Sequence, residues 1–520
     1  MNIQIKTKRV NKETILIGII LLIAIAVRLW GIKFGLPYIY HPDEPRYLIN
    51  AQLLFKTLNL NPLSLPGISS SKFVYVINAL AYLPYYLIGK LTGMFNTPMD
   101  IPAPQMLAMG VGITSKPTTF LLGRFVTVLF GTANVGLVFL IGKKLFKNAM
   151  IGLLAALIMA SSPTNVSLSQ FITPDTFVVF FVLLAFLGTV CMSQHDKPIV
   201  YILSGLALGC VLSTKVSGIL IALPLLVVYF YRKGKKGLLD LNLYLMVITG
   251  TLAFVVTTPY IFGDVGKVVG DILSEGRHYS QGHAGMEGNS LQWYLTYMWQ
   301  TSGVIYILAS FEVLHGLYLR SKRIILLSIF PVVYFIFICS FTVRNDRTLL
   351  PLMPFLFLLA ASFLTYLLNK AAGLKPKVWR TALISAIVCL AFAAMVLPTS
   401  NTIANAIKIT RIDSRETARI WITDNLPSGA KIGIESYSPF VEPARFSVQG
   451  FGRMIDNKPE WYIENGFEYL VFSQGMYGRF YNEPESYSAE VSQYDAFFNR
   501  FLLIKMFNDG DYEIRIYKVE

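Results

Sequence analysis

Two adjacent carboxylates, Asp43 and Glu44, lie between Pro42 and Pro45 in the stretch YHPDEPRYLIN, shortly after a long apolar run. The prolines stiffen the backbone around the pair. A carboxylate held in place where a membrane limits hydration can act as a general base towards an acceptor hydroxyl. We predict Asp43 as that base, and Glu44 as a second catalytic group that orients it or holds a divalent cation. The alternative is a solvated loop without a chemical role. Three neighbours of the pair are predicted to contact the substrate: His41, Arg46 and Tyr47.

Asp175 is the third predicted catalytic carboxylate. It follows Pro174 in SQFITPDTFVVFF, between the end of one apolar run and the start of the next. One interpretation is a helix N-cap, in which the carboxylate accepts the free amide protons of the first turn. A catalytic or donor-orienting role is compatible with that position.

Six basic side chains are predicted to bind an anionic substrate. Lysine and arginine are less common at the outer ends of membrane spans than at the cytoplasmic ends. A phosphate group at the membrane surface would explain them, because arginine binds phosphate bidentately and lysine binds it as a point charge. The alternative is that these side chains reach lipid head groups. The six are Lys72, Lys215, Arg277, His278, Arg344 and Arg347.

The loop that contains His278 also has His283 and several glycines, followed by an aromatic-rich stretch. A zinc site would require ligands at closer helical spacing, so this pattern gives it little support. A mobile loop over a substrate groove is the favoured interpretation. A divalent cation is the one cofactor that the sequence leaves open.

The composition predicts a membrane protein with many spans. Of the 520 residues, 54% are hydrophobic and 14% are charged, and many apolar runs approach the roughly 20 residues that cross a bilayer. The net charge of +15 comes from short clusters between these runs. Such clusters anchor helices on the cytoplasmic side, so a nucleic-acid partner is not expected. The cysteines lie in or at the ends of apolar runs and are interpreted as buried apolar residues: Cys191, Cys210, Cys339 and Cys389.

About eleven spans are predicted from length and charge together. Basic clusters such as KTKRVNK, GKKLFK and YRKGKK alternate with them, which puts the N-terminus in the cytoplasm and the C-terminus outside. Counting 72–91 as a span would invert every later loop, so it is predicted to be interfacial or re-entrant within a large outer-face loop, 32–118. The predicted spans are 14–31, 120–142, 150–168, 176–194, 198–214, 216–231, 241–260, 301–319, 324–341, 348–368 and 381–398.

The tail, 399–520, is predicted to be a separate extracytoplasmic α/β domain after a transmembrane domain of residues 1–398. SRETARIWITDNLP has the pattern of an amphipathic helix, and AKIGIES, FEYLVFS and DYEIRIYKV those of strands. DAFFNRFLLIKMF is predicted to be a helix. No catalytic motif stands out in the tail, which predicts a stabilising or acceptor-docking module.

These features together resemble the polytopic glycosyltransferases of the C superfamily, in the branch of protein O-mannosyltransferases and lipid A aminoarabinose transferases. The resemblance covers roughly 14–370 and rests on several stretches in the same order. They are HPDEPRY, LLGRFVTVLFGTANVGLVFLIGKKLF, IGLLAALIMASSPTNVSLSQFITPD, TKVSGILIALPLL and RNDRTLLPLMPFLFLLAA.

The resemblance implies a sugar donor on a polyprenyl phosphate and transfer at the outer membrane face. It maps the catalytic base onto Asp43, the second acidic residue onto Asp175, and a donor-phosphate contact onto Lys72. The family's arginine before the LLP stretch maps onto Arg347. The tail does not resemble the lumenal β-trefoil domain of the eukaryotic enzymes. This difference implies a prokaryotic member, in the inner or plasma membrane, with a different acceptor.

The predicted function is transfer of a sugar to a hydroxyl of a protein, lipid or glycan acceptor, with membrane lipids around the chain. One base and a charged leaving group suffice for a single displacement with inversion, and positive charge at the leaving phosphate lowers the barrier. A lipid-linked glycan polymerase, ligase or flippase is the main alternative. A transporter would show ionisable residues near mid-membrane and repeated halves, which the sequence does not favour.

Overall fold

The computed structural model describes residues 11–61, 72–510 and 512–520. Its larger part is a bundle of apolar helices, and its smaller part is a sheet flanked by helices, so the predicted fold class is confirmed. The helices of the larger part are α1 (Lys12–Leu29), α2 (Glu44–Thr57), α3 (Lys72–Leu91), α4 (Pro117–Phe146), α5 (Ala149–Ala160), α6 (Pro163–Ser167), α7 (Pro174–Gln194), α8 (Pro198–Thr214), α9 (Ala222–Lys233), α10 (Leu241–Thr257), α11 (Val265–Gln281), α12 (Ser290–Tyr318), α13 (Lys322–Cys339), α14 (Asp346–Leu349), α15 (Met353–Ala372) and α16 (Lys377–Thr410).

Small residues bring the membrane helices close together. A Cβ on Gly209 of α8 would overlap the carbonyl oxygen of Gly250 in α10, and a Cβ on Gly142 of α4 would overlap the backbone of Gly152 in α5. Between lipid-facing helices, such close backbone approach supplies the van der Waals packing that the hydrophobic effect does not. These glycines therefore fix where the helices cross.

Each predicted span overlaps at least one helix, although 150–168 is divided between α5 and α6, and 348–368 between α14 and α15. The number of helices that cross the membrane stays a prediction. Seven described segments are long and apolar enough to span, and α5, α8 and α10 are shorter apolar helices. The segment 72–91 is one of the seven by length and composition, and its interfacial placement also stays a prediction. Helix α12 begins earlier than predicted and is kinked at Ser302. The seven segments are Lys72–Leu91, Pro117–Phe146, Pro174–Gln194, Val216–Leu239, Lys322–Cys339, Met353–Ala372 and Lys377–Asn425.

A small antiparallel sheet forms in the loop between α1 and α4. Its strands are β1 (Tyr38–Ile39), β2 (Gln105–Ala108) and β3 (Val111–Ile113), in the order β1-β3-β2. Tyr38 pairs with Ile113, and Ile39 pairs with Gly112. The sheet therefore fixes the backbone that leads into the HPDEP stretch.

The C-terminal domain follows α16, which continues through the predicted domain boundary at 398 to Thr410. Its sheet has the order β5-β4-β6-β8-β7, in which β4 pairs in parallel with β5 and β6, and β8 pairs antiparallel with β6 and β7. The elements are α17 (Ser414–Asn425), β4 (Lys431–Glu435), β5 (Ser447–Phe451), α18 (Pro459–Glu464), β6 (Tyr469–Ser473), α19 (Gln474–Tyr481), α20 (Ser488–Arg500), β7 (Leu502–Phe507) and β8 (Ile514–Lys518).

One predicted element of this domain is wrong in its second half. DAFFNRFLLIKMF was expected to be a helix, but α20 ends at Arg500 and Leu502–Phe507 form β7. The backbone turns to an extended conformation at Phe501, and β7 then forms an antiparallel ladder with β8. Non-local pairing thus overrides the local apolar periodicity.

The β2–β3 hairpin joins the two parts of the chain. Val111 is buried in the same apolar cluster as Ile432 and Ile434 of β4. Tyr437 donates its backbone N–H to the carbonyl oxygen of Met109 at 2.8 Å. The C-terminal domain therefore packs on the loop that precedes the predicted catalytic residues.

Candidate active site

Glu44 is fully buried and forms a bidentate ion pair with Arg124 of α4. The Nε of Arg124 is 2.9 Å from one carboxylate oxygen of Glu44, and Nη2 is 2.7 Å from the other. The backbone N–H of Ile172 also donates to Glu44, at 3.0 Å. Burial alone would raise the pKa of Glu44, but Arg124 outweighs it and lowers the net value. All these contacts fit the orienting role that was one of the two predicted for Glu44.

Arg124 extends this network to the chain before the HPDEP stretch. Its Nη1 donates to the carbonyl oxygens of Ile32 and Phe34, at 2.7 and 2.9 Å. The pair with Glu44 therefore ties α2, α4, the segment after α1 and the loop before α7. Removing one partner of such a buried pair leaves an uncompensated charge.

Asp43 is the residue immediately before α2, and its carboxylate points to a different partner. Its Oδ2 is 2.6 Å from Nη1 of Arg347 in α14, and the two side chains are 28% and 34% exposed. This exposure leaves the pair accessible to a substrate. Burial raises the pKa of Asp43, but the charge of Arg347 and its hydrogen bond to the carboxylate oppose this effect, and the net pKa lies below its ordinary value. Asp43 is therefore ionised at neutral pH, as a general base must be.

His41, Arg46 and Tyr47 surround Asp43 in different ways. The backbone N–H of Asp43 donates to Nδ1 of His41 at 3.2 Å, and the His41 ring stacks on Phe171 at 4.5 Å. Burial lowers the pKa of His41, which favours the neutral ring that can accept this bond. Arg46 lies over the ring of Tyr47, which is buried. His41 thus orients the Asp43 backbone, and substrate contact by the three stays a prediction.

Asp175 forms a second, deeply buried ion pair. Its Oδ1 is 2.8 Å from Nζ of Lys215, which lies directly after α8. The N-cap of α7 is Thr173, so the N-cap interpretation of Asp175 is wrong, because Asp175 lies inside the first turn and binds Lys215. Its second oxygen, Oδ2, is buried without a hydrogen-bond partner among residues 11–61, 72–510 and 512–520.

Asp346 is a site residue that sequence reasoning missed. Its Oδ1 accepts the backbone N–H of Arg347 at 2.8 Å, and its Oδ2 accepts a bond from Tyr297 at 3.4 Å. Burial raises the pKa of Asp346. The negative charge of Asp175 also raises the pKa of Asp346 and that of Arg347. The sequence signal that could have indicated Asp346 is its position between two arginines in RNDR.

Lys72 has a carboxylate partner on α11. Its Nζ is 2.7 Å from Oδ2 of Asp271, and Lys267 binds the other oxygen of that carboxylate. Lys72 is almost fully buried. The structure thus places its charge against α11, and binding of a donor phosphate by Lys72 stays a prediction.

The other three predicted phosphate-binding residues lie on two segments: Arg277 and His278 on α11, and Arg344 between α13 and α14. Arg277 and His278 are exposed on α11, and the His278 ring packs against His283 at 5.2 Å. Arg344 is 3.6 Å from Glu483. Across the described parts of the chain, no three His, Cys, Asp or Glu side chains cluster in a way that could hold a metal ion.

Comparison with known proteins identifies the fold of this site. Residues 108–263 match the family described as dolichyl-phosphate-mannose-protein mannosyltransferase. The chain also superposes on archaeal oligosaccharyltransferase AglB from Archaeoglobus fulgidus, with a TM-score of 0.59, 13% identity and coverage of 98% of this chain and 74% of that one. ArnT from Cupriavidus metallidurans gives a TM-score of 0.52, 14% identity and coverage of 97% and 98%. No curated protein matches the sequence.

The chain has the fold of a C-superfamily glycosyltransferase. The predicted resemblance is confirmed, because residues 108–263 match a mannosyltransferase family and the fold matches AglB and ArnT. The same family match supports the predicted enzyme class. The chain is an integral membrane protein with several apolar helices, as these neighbours are. The structural matches describe the fold, and the roles of individual residues rest on the geometry given above.

Arg124 also escaped the sequence analysis. It lies in the apolar stretch LLGRFVTVLF, where an ionisable side chain is costly and needs a partner. That rule would have pointed to a buried carboxylate, but sequence spacing could not choose Glu44 from the other acidic residues. The fold supplies the pairing.

Proposed function

We propose that the chain transfers a sugar from a polyprenyl-phosphate donor to an acceptor hydroxyl on the extracytoplasmic face, with Asp43 as the general base. The observation that carries this proposal is the accessible Asp43–Arg347 pair, whose arginine is also influenced by the charge of Asp175 in the buried Asp175–Lys215 pair. Such a site holds a base and a phosphate-binding cation together. Its residues lie on loops and helix ends of an apolar bundle, where a lipid-borne donor is available.

In the proposed step, Asp43 takes the proton of the acceptor hydroxyl. At the same time the oxygen of that hydroxyl forms a bond to the anomeric carbon of the donor sugar. The bond between that carbon and the donor's phosphate oxygen breaks, and polyprenyl phosphate leaves. One displacement inverts the anomeric configuration. Arg347 binds Asp43 at 2.6 Å in the free site, and a bound phosphate would compete for the same guanidinium. Donor binding therefore frees Asp43 and raises its basicity.

Asp175 and Lys215 are proposed to orient the donor. Lys215, which is paired with Asp175, adds positive charge to the site and stabilises the leaving phosphate. The unpartnered Oδ2 of Asp175 can accept a hydrogen bond from a sugar hydroxyl. An unsatisfied buried carboxylate oxygen is costly in the free protein, and a ligand hydroxyl would remove that cost.

Two structural neighbours support the donor class. The ArnT structure is bound to undecaprenyl phosphate, and the AglB structure contains a dolichol-phosphate with an inhibitory peptide. We carry over to this chain a polyprenyl-phosphate donor and leave the acceptor as a protein, lipid or glycan. Residues 1–398 are proposed as the transmembrane domain and 399–520 as the extracytoplasmic domain. The N-terminus is proposed to be cytoplasmic, in the plasma membrane of a prokaryote.

A reconstituted assay tests this function. The full chain in liposomes would be given a panel of synthetic polyprenyl-phosphate sugars, with a membrane extract as acceptor, and the anomeric configuration of the product would be read by NMR. Asp43→Asn should abolish transfer. Asp264→Asn is the matched control, because Asp264 caps α11 and asparagine also caps helices well. Coupled sugar uptake without transfer, or full activity of Asp43→Asn, would overturn the proposal.

A further inference from the structure

Arg415 of the C-terminal domain is buried against the segment that leads to Asp43. It is 2% exposed, and its guanidinium lies between the rings of Tyr40 and Tyr512, at 4.3 and 5.3 Å from their centroids. It binds both carboxylate oxygens of Asp413, at 2.8 and 2.7 Å. Its Nη1 donates to the backbone carbonyl oxygen of Tyr40 at 3.1 Å. One guanidinium thus joins α17 to the backbone three residues before Asp43.

Two further contacts of α17 hold the same segment. The hydroxyl of Tyr40 donates to Glu416 at 3.2 Å, and the guanidinium of Arg419 lies 4.5 Å from the ring centroid of Tyr38. Glu416 and Arg419 also pair with each other. The first turns of α17 therefore bind residues 38–40 through their side chains as well as their backbone.

The β2–β3 hairpin holds the other edge of this segment. β1 is paired with β3, and β3 is packed in the core of the C-terminal domain through Val111. Residues 38–40 are thus held between α17 and a hairpin that the same domain anchors. The path from Tyr40 to Asp43 contains Pro42, whose fixed φ transmits the placement of Tyr40 along the backbone.

We propose that Arg415 is a positioning residue through which the C-terminal domain holds Asp43 at ion-pairing distance from Arg347. This inference rests on the proposed role of Asp43. It gives the C-terminal domain a part in the reaction that a stabilising module would not have. Arginine is required because its planar guanidinium binds Asp413 and Tyr40 at once and also stacks on two aromatic rings. The ammonium group of lysine is not planar and cannot make these contacts together.

The test compares Arg415→Lys with Arg515→Lys in the full chain. Arg515 is a matched control, because it also pairs with a carboxylate, Glu513, and lies over two rings of the same domain. Arg415→Lys should lower kcat by about 10- to 100-fold, the effect of a misplacement near 1 Å, with little change in the KM values. Arg515→Lys should leave kcat near the wild-type value.

Two further readouts separate positioning from general stability. In Arg415→Lys the acid limb of the pH–rate profile should move to higher pH, because Asp43 would lie farther from Arg347. Hydrogen exchange of the peptide that contains residues 38–43 should become faster in this variant and not in Arg515→Lys. If Arg415→Lys does not fold, Asp413→Asn loosens the same contact, keeps the N-cap of α17 and should show both changes to a smaller extent.

The outcomes distinguish this inference from the proposed function. Wild-type kcat, pH profile and exchange in Arg415→Lys, together with an inactive Asp43→Asn, would overturn the inference and leave the function standing. Equal losses in Arg415→Lys and Arg515→Lys would also overturn it. An active Asp43→Asn would refute the proposed function, while the exchange data would still show whether Arg415 holds residues 38–43.

Discussion

Replacing Arg347 by glutamine should move the acid limb of the pH–rate profile to higher pH. Arg347 is 2.6 Å from the Asp43 carboxylate and is the largest of the charges that hold the pKa of Asp43 below its ordinary value. Without this cation, burial is left to raise the pKa. A base with a higher pKa is protonated, and inactive, over a wider acidic range, so the sign of the shift follows directly.

The size of this shift can be estimated from the geometry. Two unit charges about 4 Å apart interact by roughly 1 kcal/mol in water and about 4 kcal/mol at an effective dielectric constant near 20. One pKa unit corresponds to about 1.4 kcal/mol. Since the Asp43 and Arg347 side chains are 28% and 34% exposed, the lower part of that range applies, and a shift of about 1 pKa unit is expected.

The assay is kcat/KM for sugar transfer between about pH 4 and pH 9, in wild type, Arg347→Gln and a control. Arg347→Gln should also lose on the order of 10²- to 10³-fold in kcat, because one donor to the leaving phosphate is removed. Arg453→Gln, which removes an exposed pair with Asp456 in the C-terminal domain, should leave the acid limb in place. An unchanged acid limb in Arg347→Gln, or a shift to lower pH, would show that Arg347 does not lower the pKa of Asp43.

Three further predictions concern the buried carboxylates. Glu44→Gln should destabilise the protein by about 3–5 kcal/mol, because it leaves Arg124 buried without its partner, and thermal unfolding of the detergent-solubilised chain checks this. Asp175→Asn should raise the KM for the lipid donor more than the KM for the acceptor. A rise in the KM for the acceptor alone would contradict the donor-orienting role of Asp175. Burial raises the pKa of Glu435 to about 8, so the folded state retains a proton that the unfolded state loses at lower pH. The Tm should therefore fall between pH 5 and pH 8 in wild type but not in Glu435→Gln, and parallel Tm curves would contradict this.

Much of the fold follows from local patterns in the sequence. Apolar length and alternating basic clusters locate the helices of the bundle. The amphipathic pattern of SRETARIWITDNLP likewise locates α17, although its N-cap is Asp413, one residue before that stretch. Non-local structure was harder to predict. The strand β7 follows α20 without a turn signal, and its conformation depends on a ladder with β8 that the local pattern does not encode.

The candidate site was partly predictable for the same reason. Residue type and position identified Asp43, Asp175, Lys215 and Arg347, and the structure joins them in two ion pairs. Partner choice depends on tertiary structure. Lys72 was expected to bind a phosphate, which stays a prediction, and the structure pairs it with Asp271, about two hundred positions later in the chain. No spacing rule links such residues.

The role of the C-terminal domain was the least predictable feature. Its sequence has no catalytic motif, and Arg415 belongs to an ordinary amphipathic helix pattern. Only the packed structure shows that its guanidinium reaches the carbonyl oxygen of Tyr40. Every residue has a backbone carbonyl, so the residue type at position 40 does not reveal that Arg415 binds there. Sequence alone could therefore not have indicated this contact.

The rate of a single turnover of lipid-linked sugar in Asp43→Asn, compared with wild type, shows most directly whether Asp43 is the general base. Saturating enzyme and a polyprenyl-phosphate sugar isolate the chemical step from product release. Loss of a general base predicts a rate on the order of 10²- to 10⁴-fold lower, with donor binding retained. A rate equal to that of wild type would show that Asp43 does not take the proton.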